Sequence, residues 1–293
     1  MAEGEPEDDG NGKRPWADWL VTLTTLLAPT TFIGALLLYF GVAYTDALYE
    51  HFGIDAATLG FSTQDYALRS ASALYVPAGT ALVIALAAVL VYYAARAVGN
   101  RSTRLPTGGR LAPYALSVCG LVLFVLGVLG GFDVWQAGAM DTPLLLGGGL
   151  VLIVYGRVLS FKLAGTVYPV ARERMALGLV AVLVALSSFW AVHAYAKQHG
   201  DDEARYLARN LWLRPAVTLD TAERLYFPPG QARETVLPAT DPPQRFRYRY
   251  EGLRLLAEAN GRMFLIPENW AQTHGNVLVV PAGDAVRVGF RVD

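Results

Sequence analysis

Few side chains in this sequence have both the type and the spacing to do chemistry. The histidines are His51, His193, His199 and His274. No two of them stand four apart, the spacing that would place a metal-binding pair on one helix face. Asp133 with Gln136, and Asp141, are the polar groups of one short loop and form a candidate carboxylate site. Ser187 and Ser188 are adjacent hydroxyls in an apolar run with no base nearby, which is the pattern of packing. The sequence has no Gly-x-Ser-x-Gly, HExxH, Walker or dinucleotide-binding fingerprint. The one strongly patterned run is 245–250, where Arg245, Arg247 and Arg249 alternate with Phe246, Tyr248 and Tyr250. Period-two alternation predicts a strand with one basic and one aromatic face. The basic face suits anionic headgroups or an acidic ligand. No catalytic, cofactor-binding or metal-ligating residue is assigned, and no cofactor is expected.

The elements that must position these residues are set by an apolar composition. Of 293 residues, 54% are hydrophobic and 17% charged, with mean hydropathy +0.33. Soluble domains carry about 25% charged residues, so the balance predicts a membrane protein. A net charge of −1 lacks the basic footprint of a nucleic-acid binder. The single cysteine, Cys119, lies in an apolar run and is expected to be buried as a small packing residue. Residues 1–15 hold five carboxylates and three glycines and are expected to be a disordered tail.

A membrane-spanning helix needs about 20 apolar residues. Five runs qualify, at about 19–44, 72–97, 111–131, 143–164 and 175–196. The first starts too late and runs too long for a cleaved signal, so it reads as a retained anchor. Lys13, Arg14, Arg96, Arg101, Arg104, Arg110, Arg157, Lys162, Arg172 and Arg174 all fall on one side of this arrangement. Arg69 is alone on the other. The charge bias predicts a cytoplasmic N-terminus and, with an odd number of spans, an extracytoplasmic C-terminal region. Gly120, Gly127 and Gly131 fall on one face of the third run, and 147–149 and Gly156 mark the fourth. These predict close packing among the last three helices. The threonines of the first run (Thr22, Thr24, Thr25, Thr30, Thr31) around Pro29 are expected to bond back to helical carbonyls, with a pore lining as the alternative.

Beyond residue 196 the composition turns polar. A short amphipathic helix is expected at 201–213, followed by strands at 216–225, 245–250, 253–257, 263–266, 276–280 and 285–291. Asn260-Gly261 predicts a hairpin turn between two of these strands. The last two are expected to pair across 281–284. The stretch 44–77 carries local signals of its own. A helical stripe of Tyr44, Ala47, Leu48 and His51/Phe52 continues past the membrane. Asp55 is placed to cap a turn at 56–59 that Gly60 ends, and Ser62-x-x-Asp65 is a capping box that opens the second long helix.

The segments FGIDAATLGFSTQDYALRS, YRYEGLRLLAEANGRMFLIPENW and VLVVPAGDAVRVGF together resemble a group of uncharacterised multi-pass membrane proteins of actinobacterial type. The resemblance implies membrane placement and a pairing of the 44–77 loop with the C-terminal region. It carries over no activity and no site residue.

The expected fold class is therefore a membrane α-helical bundle of five transmembrane helices with a small β-rich α+β extracytoplasmic domain. The expected divisions are a tail at 1–15, a membrane domain at 16–196 with an outer helical loop at 45–71, and the external domain at 197–293. The expected location is the inner membrane. The candidate interaction residues are Phe52, Phe61, Tyr66, Arg245, Arg247, Arg249 and Trp270. The expected role is a non-enzymatic scaffold or sensor whose external domain binds an envelope component or membrane protein. The partners are thus the lipid bilayer and that component, with no nucleic acid. A small transporter or channel is the first alternative, and a lipid-modifying membrane enzyme using Asp133, Asp141 or His193 the second.

Overall fold

The computed structural model describes residues 15–99, 111–132, 134–135, 138–166, 168–238, 244–272 and 275–291, with backbone alone at 15–30, 32, 72–73, 88, 91–92 and 94–99. The tail, the loop arginines at 101, 104 and 110, Asp133, Gln136 and His274 lie outside the described residues, as do the side chains of most of the first run's polar centre.

Among the described residues six α-helices precede an antiparallel sheet. They are α1 (Pro15–Glu50), α2 (Ala56–Leu59), α3 (Thr63–Gly99), α4 (Ala112–Gly131), α5 (Asp141–Leu163) and α6 (Val170–Arg209). Among the described residues α4, α5 and α6 are long and apolar enough to cross a membrane, and α3 makes a fourth if its two parts, Thr63–Ala71 and Leu74–Ala87, are one span. Those parts meet at a 44° bend. Pro77 lies inside α3, and a proline there cannot donate to the carbonyl four residues earlier and crowds it, which kinks a helix one turn upstream.

Local signals decide the helix ends. Asp55 accepts a hydrogen bond from the backbone N–H of Ala57 at 2.9 Å, and Gly60 closes α2 at φ 68°. Ser62 and Asp65 form the reciprocal capping box, with Ser62 N–H donating to Asp65 Oδ2 at 2.9 Å and Asp65 N–H donating to Ser62 Oγ at 3.2 Å.

The helix crossings are built on glycine. A β-carbon at Gly120 would lie 2.7 Å from the Gly149 carbonyl oxygen, and one at Gly127 would lie 2.8 Å from the Leu146 nitrogen. One at Gly156 would lie 2.7 Å from the Pro113 carbonyl oxygen. These contacts make α4 and α5 a closely fitted pair, with the glycine faces used inside the chain. Gly147 meets Ser187, joining α5 to α6, so Ser187 does serve packing. Cys119 corrects an expectation. It is exposed on the outer surface of α4, because the glycine face, not the cysteine face, is turned toward α5.

A second correction concerns α6. A break was expected after 196, with a separate helix at 201–213. The helix instead continues without interruption to Arg209 and ends in a single 3₁₀ turn, Leu211–Leu213. Arg205 pairs with Asp201 at 3.2 Å and with Asp202 at 3.1 Å, spacings that support a helix. Gly200 is fully packed, since a β-carbon there would lie 2.4 Å from the Tyr44 carbonyl oxygen of α1. The change to polar composition therefore falls within one helix and does not separate two. At 1.5 Å per residue α6 is about 60 Å long, about twice the thickness of a hydrocarbon core.

The sheet comprises β1 (Ala216–Thr221), β2 (Arg233–Val236), β3 (Tyr248–Ala259), β4 (Arg262–Pro267), β5 (Leu278–Pro281) and β6 (Val286–Arg291). Its order is β5-β4-β3-β1-β6, with β2 beside the first half of β3. The expected strands at 245–250 and 253–257 merge into β3, whose Gly252 (φ 84°) turns the strand instead of ending it. The Asn260-Gly261 hairpin is formed, with both residues at positive φ. The expected pairing of the last two strands is not: β5 pairs with β4 and β6 with β1, at opposite edges. Pro281 aligns with Arg262 near one end of β3, and Val286 aligns through Thr221 with Tyr248 at the other. A straight twelve-residue strand would separate those ends by roughly 37 Å, yet the link 282–285 reaches at most about 18 Å. Only a strongly coiled sheet lets so short a link join its two edges.

Two apolar cores result. One fills the coiled sheet with Val217, Leu219, Tyr250, Leu253, Met263 and Leu265. The other joins the sheet to the helices, uniting Tyr49, Phe52 and Leu59 with Leu207, Phe264 and Ile266.

Candidate interaction surfaces

The aromatic candidates of the 44–77 stretch meet in the joint between helices and sheet. Phe52, 4% exposed, lies 5.0 Å from the Trp270 ring, and His51 lies 6.1 Å from it. Phe61 packs between Tyr49 at 5.7 Å and Tyr66 at 5.9 Å. Arg69 stands over the Phe61 ring at 4.3 Å and donates to Tyr49 Oη at 3.3 Å, a cation–π arrangement. Tyr66 Oη donates to the Ala56 carbonyl at 3.4 Å. Phe52, Phe61, Tyr66 and Trp270 thus make intramolecular contacts, and the one basic residue of this loop is held by its aromatic neighbours.

The connection from α6 into the sheet is fixed by Arg254, 8% exposed on β3. It donates to the Arg214 carbonyl at 3.1 Å and pairs with Glu268 at 2.7 Å. On the inner side of the sheet Tyr250 Oη accepts from Leu225 N–H at 2.7 Å and donates to the Leu225 carbonyl at 3.1 Å. Burial raises the Tyr250 phenol above its ordinary pKa.

The arginine run divides. Arg245 and Arg247 precede β3 and are exposed, whereas Arg249 lies on β3 opposite Asp220 of β1. Asp220 is also aligned with Arg287 of β6 on its other side. Arg249 donates through Nε and Nη2 to the two Asp220 oxygens at 2.8 and 3.1 Å, and Arg287 donates through Nε to Asp220 Oδ2 at 3.0 Å. The Asp220 side chain is 5% exposed. The hydrogen bond from Arg249, reinforced by Arg287, holds its carboxyl below the usual carboxylate range. The guanidinium of Arg287 lies 5.3 Å from the Phe246 ring centre, and that of Arg245 lies 5.8 Å from it. Sequence reading passed over Asp220. The available signal was a lone carboxylate in the alternating strand Ala216–Thr221, facing a run with a basic side.

The other candidates stay separate from this surface. His193, on α6, packs 5.5 Å from the Tyr39 ring of α1. Asp141 accepts from the Gly138 N–H at 3.0 Å, closing the turn that begins α5. A cleft of about 610 Å³ between α1 and α6 is lined by Glu50, His193, Lys197, Asp201 and Arg205. Among the described residues no group of three or more His, Cys, Asp or Glu is arranged to hold a metal ion. Comparison with protein-family models, with curated proteins and with solved structures finds no match to this chain.

Proposed function

We propose that this chain is an integral membrane scaffold or sensor that holds its coiled sheet outside the cytoplasmic membrane and binds an envelope or membrane partner there. In this reading α1 and α3 to α6 are five spans and the N-terminus is cytoplasmic. The membrane placement draws support from the apolar outer surfaces of α3 to α6 and from the resemblance of the loop and sheet segments to multi-pass membrane proteins. The observation that carries the functional reading is the shared core. Leu256, Phe264 and Ile266 of the sheet are buried with Tyr49, Phe52, Leu59 and Leu207 of the helices. A sheet anchored this way, on a helix continuous with the membrane-facing segment, is held at a fixed height and orientation. That is what presentation to a partner, or relay of its binding, requires.

Two measurements test it. With Cys119→Ala as background, a cysteine replacing Val236 should react with an impermeant maleimide in intact cells, and one replacing Arg172 should react only after lysis. The opposite pattern overturns the orientation. Photoreactive residues at Val236, Val279 and Phe290, all exposed, should crosslink the full chain to an envelope protein at one or more sites. No crosslink at any of them, together with solute flux through the purified protein in liposomes, would replace this reading with a transporter.

A further inference from the structure

Strand β6 is an edge: among the described residues it pairs on one side only, with β1. Such an edge presents a row of unpaired backbone donors and acceptors, a template for one more strand. Its side chains alternate. Val286 and Val288 pack partly against the sheet's inner core, and Phe290 follows them 59% exposed. On the other face stand Arg287, Gly289 and Arg291. Gly289 is open: a β-carbon added there would have Thr218 as its nearest neighbour, at 3.9 Å.

The basic side of this edge is under-neutralised. Arg249 and Arg287 share one carboxylate, Asp220, and Glu251 adds a weaker attraction on Arg249. Arg245 and Arg247, in the lead-in to β3, are exposed with no ion pair among the described residues, and Arg245 shares the Phe246 ring with Arg287. Arg249 and Arg287 thus have one buried carboxylate, Asp220, between them. The two that hold Asp220 do so through Nε and Nη2, so each keeps Nη1 directed elsewhere. Anchoring on a buried carboxylate fixes these forks in place, and a fixed fork gives up less rotamer freedom on receiving a second carboxylate. Arg249 already grips a carboxylate in two-pronged fashion, which shows the chemistry the surface accepts.

We infer that β6 is the docking edge for an extended acidic segment of a partner polypeptide, which adds as a strand with carboxylates toward Arg245, Arg247 and Arg287 and apolar residues toward Phe290. Strand addition supplies backbone hydrogen bonds, and alternate side chains set specificity. A second copy of this chain fits poorly. Antiparallel pairing of β6 with itself would place Arg287 and Arg291 of both copies on one face, and like charges across a strand pair are destabilising. The inference rests on the partner-binding reading above and names its surface.

The test uses the full chain in nanodiscs of zwitterionic lipid with a labelled heptapeptide of alternating valine and glutamate. Saturable binding at low salt is expected. It should weaken at least tenfold in the double variant Arg245→Glu/Arg247→Glu, which should in turn bind the valine–lysine counterpart. Both substituted residues are exposed and make no ion pair among the described residues, so folding is retained, and near-ultraviolet circular dichroism checks it. No saturable binding, or binding unchanged in the double variant, overturns the inference. Arginine-dependent binding of inorganic polyphosphate without the peptide assigns the patch to a phosphate polymer and overturns it as well. Self-association strengthened by Arg287→Glu, which would set opposite charges across two paired copies of β6, would assign the edge to a second copy, with the same consequence. Crosslinks in cells at Val236 or Val279 but not at Phe290 sink this edge alone; no crosslink at any of the three sinks the edge too, and together with solute flux through the purified protein it sinks the partner reading as well.

Discussion

Gly41 of α1 lies so close to Tyr66 of α3 that a β-carbon on the glycine would come within 1.9 Å of the tyrosine's carbonyl oxygen. Backbone touches backbone at this crossing. Ser70, fully buried one turn further along α3, completes it. Together with the Gly200 contact on Tyr44, it brings α1, α3 and α6 together beneath the sheet.

Replacing Gly41 by alanine should therefore force the helices apart. Overpacking costs typically about 1–3 kcal/mol, and this contact belongs at or above the upper end because the obstructing atom is backbone. Gly34→Ala in the same helix, with nothing within 4 Å of its β-carbon position, should leave stability unchanged or slightly raised. Thermal unfolding in detergent compares the two. Equal melting temperatures would show that α1 and α3 do not meet as closely as described.

Asp220 links the sheet's stability to pH. Its carboxyl is held below its ordinary value by Arg249 and Arg287. A carboxylate with a lowered folded-state pKa binds fewer protons folded than unfolded, so its contribution is complete above the unfolded value of about 3.9 and fades as pH falls through the folded value. Asp220→Asn should destabilise the sheet at neutral pH by about 1–3 kcal/mol, discounted for the exposure of both arginines. The gap between wild type and variant should narrow below about pH 4. Hydrogen exchange at β1 and β6 measures it; a gap that stays constant under strongly acidic conditions would contradict the pairing.

Gly60 serves two elements at once. Its φ of 68° ends α2, and a β-carbon there would approach the Asn260 side chain to 3.0 Å in the β3–β4 turn. Gly60→Ala should cost about 1–2 kcal/mol, and its effect should be felt in the sheet as well as the loop. Increased exchange at Asn260 and Gly261 amides would register that coupling.

Phe52 and Trp270 form the aromatic contact at the edge of the joint. Phe52→Ala removes a buried ring that faces Trp270 across 5.0 Å, and such truncations cost about 3–5 kcal/mol. The sheet should loosen on its platform before its own core melts, since Val217, Leu219 and Leu253 belong to the separate inner core. Limited proteolysis should cut first near 210–215. Unaltered proteolysis would mean that the joint does not depend on this ring.

What the sequence determined by itself was local or compositional. Apolar runs marked the long helices, because spanning length and hydropathy are properties of a segment. Asp55, Gly60, the Ser62–Asp65 box and Asn260-Gly261 marked caps and a hairpin, because their hydrogen bonds and positive φ angles close within three or four residues. The glycine faces of α4 and α5 were legible for the same reason.

Tertiary structure decided whatever required distant residues to meet. The change of composition after residue 196 looked like a boundary, but α1 packs on Gly200 and local ion pairs carry α6 through it. The last two strands looked like a hairpin, but the coil of the sheet places their partners at opposite edges. Arg249 looked like one member of a uniform basic strand face, until β1 and β6 brought Asp220 and Arg287 to it from distant parts of the chain. Burial of a charge depends on which strands become neighbours. That choice is settled by coiling and core packing over the whole sheet, and no single stretch of sequence contains it.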